Sequence, residues 1–374
     1  MPKKAKACTR VSGWRTAFFA TTFCALSVCA GGAYAQTRQN NAVAPNATTN
    51  TPSTTTPTEH PEGATRIILL GTNGGPILSL TRHQPASLLV VGKKKYLIDA
   101  GEGVTRQLFK VGVLPQQIDD IFITHNHLDH NAGLPGLISE AWFYGRHRKL
   151  KGNLPPINLY GPAGTRQVFD GALESLGVSA RIFDSGLSGG DLTMPAKMFG
   201  EHDISKNGQF FDDGTVRVTA VENTHYHFGP GSAAAKAGDK SYSYRFDTPG
   251  GPIVFTGDTG PSSGVAALVK GADVLVSEVI SPKEVKTYIA NYGISEADAK
   301  KLAAHMQAGH LTPEDIGRMA QDGGVKTVVL THVVPPQQQY TNAAEFTAGV
   351  KKYFSGDVIL GQDEMEYDVY AKQH

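Results

Sequence analysis

The stretch Thr124-His125-Asn126-His127-Leu128-Asp129-His130 brings three imidazoles and a carboxylate together within a few positions. Imidazole nitrogen and carboxylate oxygen, with no thiolate, form a donor set that suits Zn²⁺ and equally Mn²⁺ or Fe. Side chains two apart on extended backbone point the same way, so His125 and His127 converge on one point while Asp129 and His130, past a bend, face another. That is a geometry for two metals. The alternative, a polar loop whose histidines cap the next helix, leaves unexplained why four such residues crowd behind a buried strand.

The elements around this stretch explain how it is held. Residues 118–123 are apolar and β-branched and predict a short buried strand, and Asn131-Ala132-Gly133-Leu134-Pro135-Gly136 predicts a turn into a helix. Three later strands end in similar chemistry. The alternating run 215–221 runs into His225-Tyr226-His227, the run 252–256 into Gly257-Asp258-Thr259, and the run 326–330 into Thr331-His332. His310 stands just before a helix start marked by Thr312 as N-cap, Pro313 at the first helical position and acids in the first turn. Alone, each would be read as structural; their order along the chain argues for a shared site.

The His-x-His-x-Asp-His pattern at 125–130, with Gly257-Asp258-Thr259, Gly309-His310-Leu311-Thr312-Pro313-Glu314 and Leu330-Thr331-His332, resembles the metallo-β-lactamase superfamily, most closely its ribonuclease Z and arylsulfatase-type branch. The resemblance runs from about residue 65 to the C-terminus. It implies an α/β fold, a four-layer αββα sandwich with metals at one edge between the sheets. It further implies two divalent ions, Zn²⁺ first with Mn or Fe as alternatives. His125, His127 and His225 would serve the first, Asp129, His130 and His332 the second, and Asp258 would bridge them. His227 is the alternative to His225. A water held by both ions would have its pKa lowered toward neutrality and supply a hydroxide nucleophile. His310 and Asp129 would be the catalytic residues, with His310 a proton donor to the leaving group rather than a ligand. The implied reaction is hydrolysis of a small-molecule ester, a phosphodiester or a sulfate ester. A β-lactamase or lactonase, an iron oxidoreductase of the same fold and a non-catalytic binding protein are the competing readings.

Asp99 precedes a helix expected from about residue 104, where it either caps that helix or supports the metal loop. The Gly-rich loop at 71–76 lacks the Lys-Ser/Thr of a phosphate loop and reads as a plain tight turn. A helix over 134–144 is followed by the basic run Arg146-His147-Arg148-Lys149-Leu150-Lys151, a solvated loop. Next come a strand at 157–160, a helix over 163–176 and a strand at 181–183, with 185–214 mostly loop. No long basic insertion of the kind ribonuclease Z members use to clamp tRNA is evident.

The first 35 residues differ in kind. Lys3, Lys4, Lys6, Arg10 and Arg15 precede an apolar run over 17–30, and Ala33-Tyr34-Ala35 has the form of a signal-peptidase site. The expectation is a signal peptide over 1–35, a disordered Thr/Pro/Asn-rich linker over 36–63 and a hydrolase domain over 64–374, in a periplasmic or secreted protein without a membrane span once the leader is removed. All three cysteines, Cys8, Cys24 and Cys29, lie in this leader, so the remaining chain has neither disulfide nor thiol ligand. Lipidation at Cys29 lacks the small residue expected before it. Of 35 Lys and Arg the leader holds five, leaving 30 against 34 Asp and Glu, a balance of −4 that argues against nucleic acid as a partner. A homodimer is left open.

Overall fold

The computed structural model describes residues 65–146, 155–188, 195–290, 293–335 and 343–370. The leader, the linker and most of the basic run after Arg146 lie outside the described residues. Among the described residues, fourteen strands form two seven-stranded sheets. The first contains β1 (Thr65–Gly71), β2 (Ala86–Val91), β3 (Lys94–Ile98), β4 (Asp120–Phe122), β5 (Ile157–Gly161) and β6 (Phe199–Asp203). The second contains β7 (Gly208–Asp212), β8 (Arg217–Glu222), β9 (Tyr242–Thr248), β10 (Gly251–Phe255), β11 (Val274–Ile280), β12 (Thr327–Val334) and β13 (Asp357–Leu360), and β14 (Glu366–Val369) returns to the first. Their orders are β14-β1-β2-β3-β4-β5-β6 and β13-β12-β11-β10-β9-β8-β7. In both sheets antiparallel pairing gives way to parallel pairing, at β3 and at β10.

Alternation along the strands builds the layers. Ile67, Leu69, Leu89, Tyr96, Phe122, Phe246 and Val329 face inward and fill the space between the sheets. The opposite face of the first sheet, with Leu70, Leu88, Leu97 and Ile121, packs on the helices Val104–Lys110, Leu134–Ala141 and Thr165–Phe183. Val254, Leu275, Val328 and Leu330 of the second sheet pack on Ser263–Val269, Pro313–Gly323 and Ala343–Lys351. The expected four-layer αββα sandwich is therefore present. Among the described residues no helix is long and apolar enough to cross a membrane.

Two local expectations are corrected. Residues 181–183 are the last turn of the helix Thr165–Phe183, because Phe169, Ala172, Leu176 and Ala180 keep one buried face in helical register past residue 176. The stretch 185–214 holds β6 and β7, not mainly loop. Both are outermost strands with little buried surface, so neither shows the alternation that marks a half-buried strand.

At the sheet interface Phe122 is fully buried, stacked on Tyr160 at 5.2 Å and edge-on to Phe211 and Phe246 at 5.3 and 5.2 Å. Such pairs contribute roughly 0.5–1.5 kcal/mol each beyond their burial. They pin the end of β4, the strand that delivers His125.

Candidate metal centre

Beyond β4 the chain is tied to the second sheet before it reaches the cluster. Tyr244 Oη donates to the carbonyl of Ile123 at 2.6 Å, and the Tyr242 N–H donates to the carbonyl of Thr124 at 3.0 Å. Gly257 lies on the other side of this junction at φ 55°, where a Cβ would come within 2.9 Å of the Thr124 side chain. Only glycine meets both demands.

Three ring nitrogens converge there: His127 Nδ1 lies 3.1 Å from His125 Nε2 and 3.0 Å from His225 Nε2. The other nitrogens of two of these rings have partners. His125 Nδ1 is 3.1 Å from Thr124 Oγ1, and His225 Nδ1 donates to the Gly309 carbonyl at 2.8 Å. Burial holds His125 well below its ordinary pKa and brings His225 down to about 3, so both rings present lone pairs. His227 is exposed, and the choice between the two histidines falls on His225.

The second group is Asp129, His130 and His332. His332 Nε2 is 3.4 Å from Asp129 Oδ2 and 3.1 Å from Asp258 Oδ2, and His130 Nε2 is 3.5 Å from Asp258 Oδ1. Asp258 Oδ2 also lies 3.9 Å from His125 Nε2 and 3.8 Å from His225 Nε2, so this carboxylate stands between the groups. His332 reaches the site through a bulge in β12. Glu278 pairs with Thr331 but Val279 with Val333, and the skipped His332 has φ 42°.

Asp99 supports the cluster and caps no helix: the helix Val104–Lys110 has Gly103 as N-cap with no side-chain cap. Its Oδ1 accepts from the Thr124 N–H at 2.8 Å, and its Oδ2 accepts from Thr124 Oγ1 at 2.9 Å and His130 Nδ1 at 2.8 Å. That bond fixes the His130 tautomer and turns Nε2 toward Asp129 and Asp258.

Glu278 is the functional candidate that sequence reasoning missed. Fully enclosed within β11, it accepts through Oε1 from the backbone N–H groups of Thr259 (3.0 Å) and Leu311 (3.1 Å), and through Oε2 from His310 Nδ1 (2.9 Å). Burial alone would lower the His310 pKa, but the charge and hydrogen bond of Glu278 raise it to about 9. His310 lies 5.0 Å from the His225 ring and 5.9 Å from the His332 ring, centre to centre, within the same cluster. The Gly-rich turn at 71–76 also reaches the site. Gly74 donates to the Val333 carbonyl at 3.1 Å, and the Gly75 N–H is 3.3 Å from His332 Nε2.

This donor set fits divalent cations. His125, His127 and His225 form one possible ligand group, and Asp129, His130 and His332 another, each with its donor atoms within 4.8 Å of one another. Asp129 Oδ2, His130 Nε2 and Asp258 Oδ1 are buried without hydrogen-bond partners, an arrangement that costs several kcal/mol unless a cation satisfies it. Burial works against a charged His130, yet Asp258 and Asp99 raise its pKa well above the usual value: the pocket draws in positive charge.

Comparison with known proteins agrees with this geometry. The profile of the "Beta-lactamase superfamily domain" matches residues 94–333. A ribonuclease Z of Brevibacillus brevis is 30% identical over 301 residues, covering 72% of this chain and 85% of its own. The chain belongs to the metallo-β-lactamase superfamily, in its ribonuclease Z branch. A ribonuclease Z of Mycobacterium bovis is 28% identical over 313 residues, covering 82% of this chain and 99% of the relative. The crystal structure of the short form of human tRNase Z shares the fold, with a TM-score of 0.54, 23% identity, and coverage of 81% and 99% of the two chains.

These relatives overturn the expectation against nucleic acid, since proteins similar along most of this chain are ribonucleases. Net charge is a poor guide here for a physical reason. The balance of −4 is a sum over the whole chain, whereas a phosphate responds to the field where it binds, and two divalent ions would place four positive charges there.

Proposed function

We propose that this chain is a dinuclear metal-dependent phosphodiesterase, with RNA-type diesters among its substrates. The observation that carries the reading is the position of Asp258, one carboxylate within 4 Å of donor nitrogens in both ligand groups. His125, His127 and His225 would hold one ion, Asp129, His130 and His332 the other, with Asp258 shared and Zn²⁺ the first candidate. Bound there, two divalent ions supply Lewis acidity to the phosphoryl oxygens and activate water.

The chain's own residues supply the rest. His310, held through Nδ1 by Glu278, donates from Nε2 to the departing oxygen, a role typically worth about 10²–10⁴ in rate. Asp129, whose buried Oδ2 has no hydrogen-bond partner, would hold the second ion and, through its carboxylate, orient a water for attack. Asp99 and the Gly309 carbonyl fix the imidazole orientations on either side.

A panel of bis(p-nitrophenyl) phosphate, p-nitrophenyl phosphate, p-nitrophenyl sulfate, an aryl lactone and a cephalosporin, each with and without chelator, tests the reaction class. The diester is expected to be turned over fastest, with activity lost on chelation and restored by Zn²⁺ or Mn²⁺. Turnover that ignores chelator, or a sulfate or cephalosporin as the best substrate, would contradict it.

The N-terminal segment supports export, by the order of its basic, apolar and small-x-small parts. N-terminal sequencing of protein recovered from the producing cells is expected to begin near Gln36. A cytoplasmic protein beginning at Met1 would overturn export and leave the chemistry intact.

A further inference from the structure

The segment between β8 and β9 carries more than His225. Tyr226 lies beside the metal-binding rings, with centroids 5.1 Å from His127, 5.4 Å from His225 and 5.7 Å from His125. Its hydroxyl accepts from the backbone N–H of Asn126 at 3.2 Å, between the two histidines of the loop. Phe228 packs on Tyr226 at 4.7 Å with the rings inclined by 34°. Tyr226 is half-buried, whereas Phe228 remains 38% exposed and Leu128, next to His127 in the chain, 58% exposed.

An apolar ring left partly in water, one aromatic layer from the histidine cluster, presents a face that a flat ligand would cover. The Tyr226 hydrogen bond ties this ring to the loop that carries His125 and His127, and Phe228 is joined to that loop by its packing on Tyr226. Every nucleobase has a π-face, and aromatic side chains take up bases by stacking with little regard to sequence.

We propose that Phe228, backed by Tyr226, is the specificity-determining residue that receives the base of a nucleoside phosphodiester at the mouth of the site. This inference rests on the phosphodiesterase reading and adds a preference for a flat substituent on the ester. A plain alkyl ester would find the metals and His310 but nothing to stack on.

The test compares uridine 5′-(p-nitrophenyl) phosphate with methyl p-nitrophenyl phosphate, which share a leaving group and differ only in the other arm. Wild-type protein should favour the nucleoside ester, and both Phe228→Ala and Phe228→Leu, which stays apolar but loses the ring, should reduce that kcat/KM preference about tenfold, through KM, as expected for one lost stacking contact. In Phe228→Trp the preference should be retained, and the indole fluorescence should be quenched saturably by uridine 5′-phosphate. If wild type discriminates but neither variant alters the ratio, Phe228 is not the determinant. If wild type cleaves neither ester, the phosphodiesterase reading fails; saturable quenching then still supports a base-binding shelf, and its absence overturns that too.

Discussion

Replacing His310 by alanine is expected to lower kcat for a diester with an alkoxide leaving group by about 10²–10⁴, the usual contribution of a positioned general acid, while metal content stays at the wild-type level. The loss should be smaller with p-nitrophenolate, which departs without a proton. The pH profile carries the same information. Glu278 raises the His310 pKa, so the acid form predominates below the raised value and is lost as pH rises through it. Glu278→Gln removes that charge, and the alkaline limb of kcat should move to lower pH. A limb that stays in place would separate Glu278 from the proton donor. Loss of a metal in His310→Ala would make His310 a ligand, an assignment its position in a group with Asp258, Glu278 and His332 would also permit.

The second large effect is expected at Asp258. Asp258→Ala removes the carboxylate that stands between the two groups and leaves His130 with Asp99 and Asp129, and His332 with Asp129 alone, as buried acidic neighbours. Metal content should fall below the wild-type ratio, and kcat/KM on bis(p-nitrophenyl) phosphate should drop by on the order of 10³ or more, about 4 kcal/mol of transition-state stabilisation. Asp258→Asn keeps the shape and loses the charge. If it retained both metals and full activity, charge at this position would not matter and the shared-ligand account would fail.

The residues legible in the sequence were those placed by strand ends. His125, His127, Asp258 and His332 each follow a short, continuous apolar run that reads as a buried strand, and His310 is flagged by the capping signals of the helix after it. Glu278 was hidden because it sits within the wholly buried strand Val274–Ile280, where an acid reads as a strand boundary. Its partner His310 is separated from it by the helices Pro282–Ala290 and Glu296–Gly309. Asp99 stayed ambiguous because a carboxylate before a helix reads the same whether it caps or braces, and only its φ of 59° and its bonds to Thr124 and His130 decide. The shelf at Tyr226 and Phe228 was missed for a related reason: aromatic residues after a strand carry no signal of which way they face.

One chain is expected to hold two divalent ions in a single buried cluster. Elemental analysis of the purified protein, equilibrated with excess Zn²⁺ or Mn²⁺ and freed of unbound metal, tests it most directly. Two ions per chain are expected; a ratio that stays near one under either metal would contradict the dinuclear account.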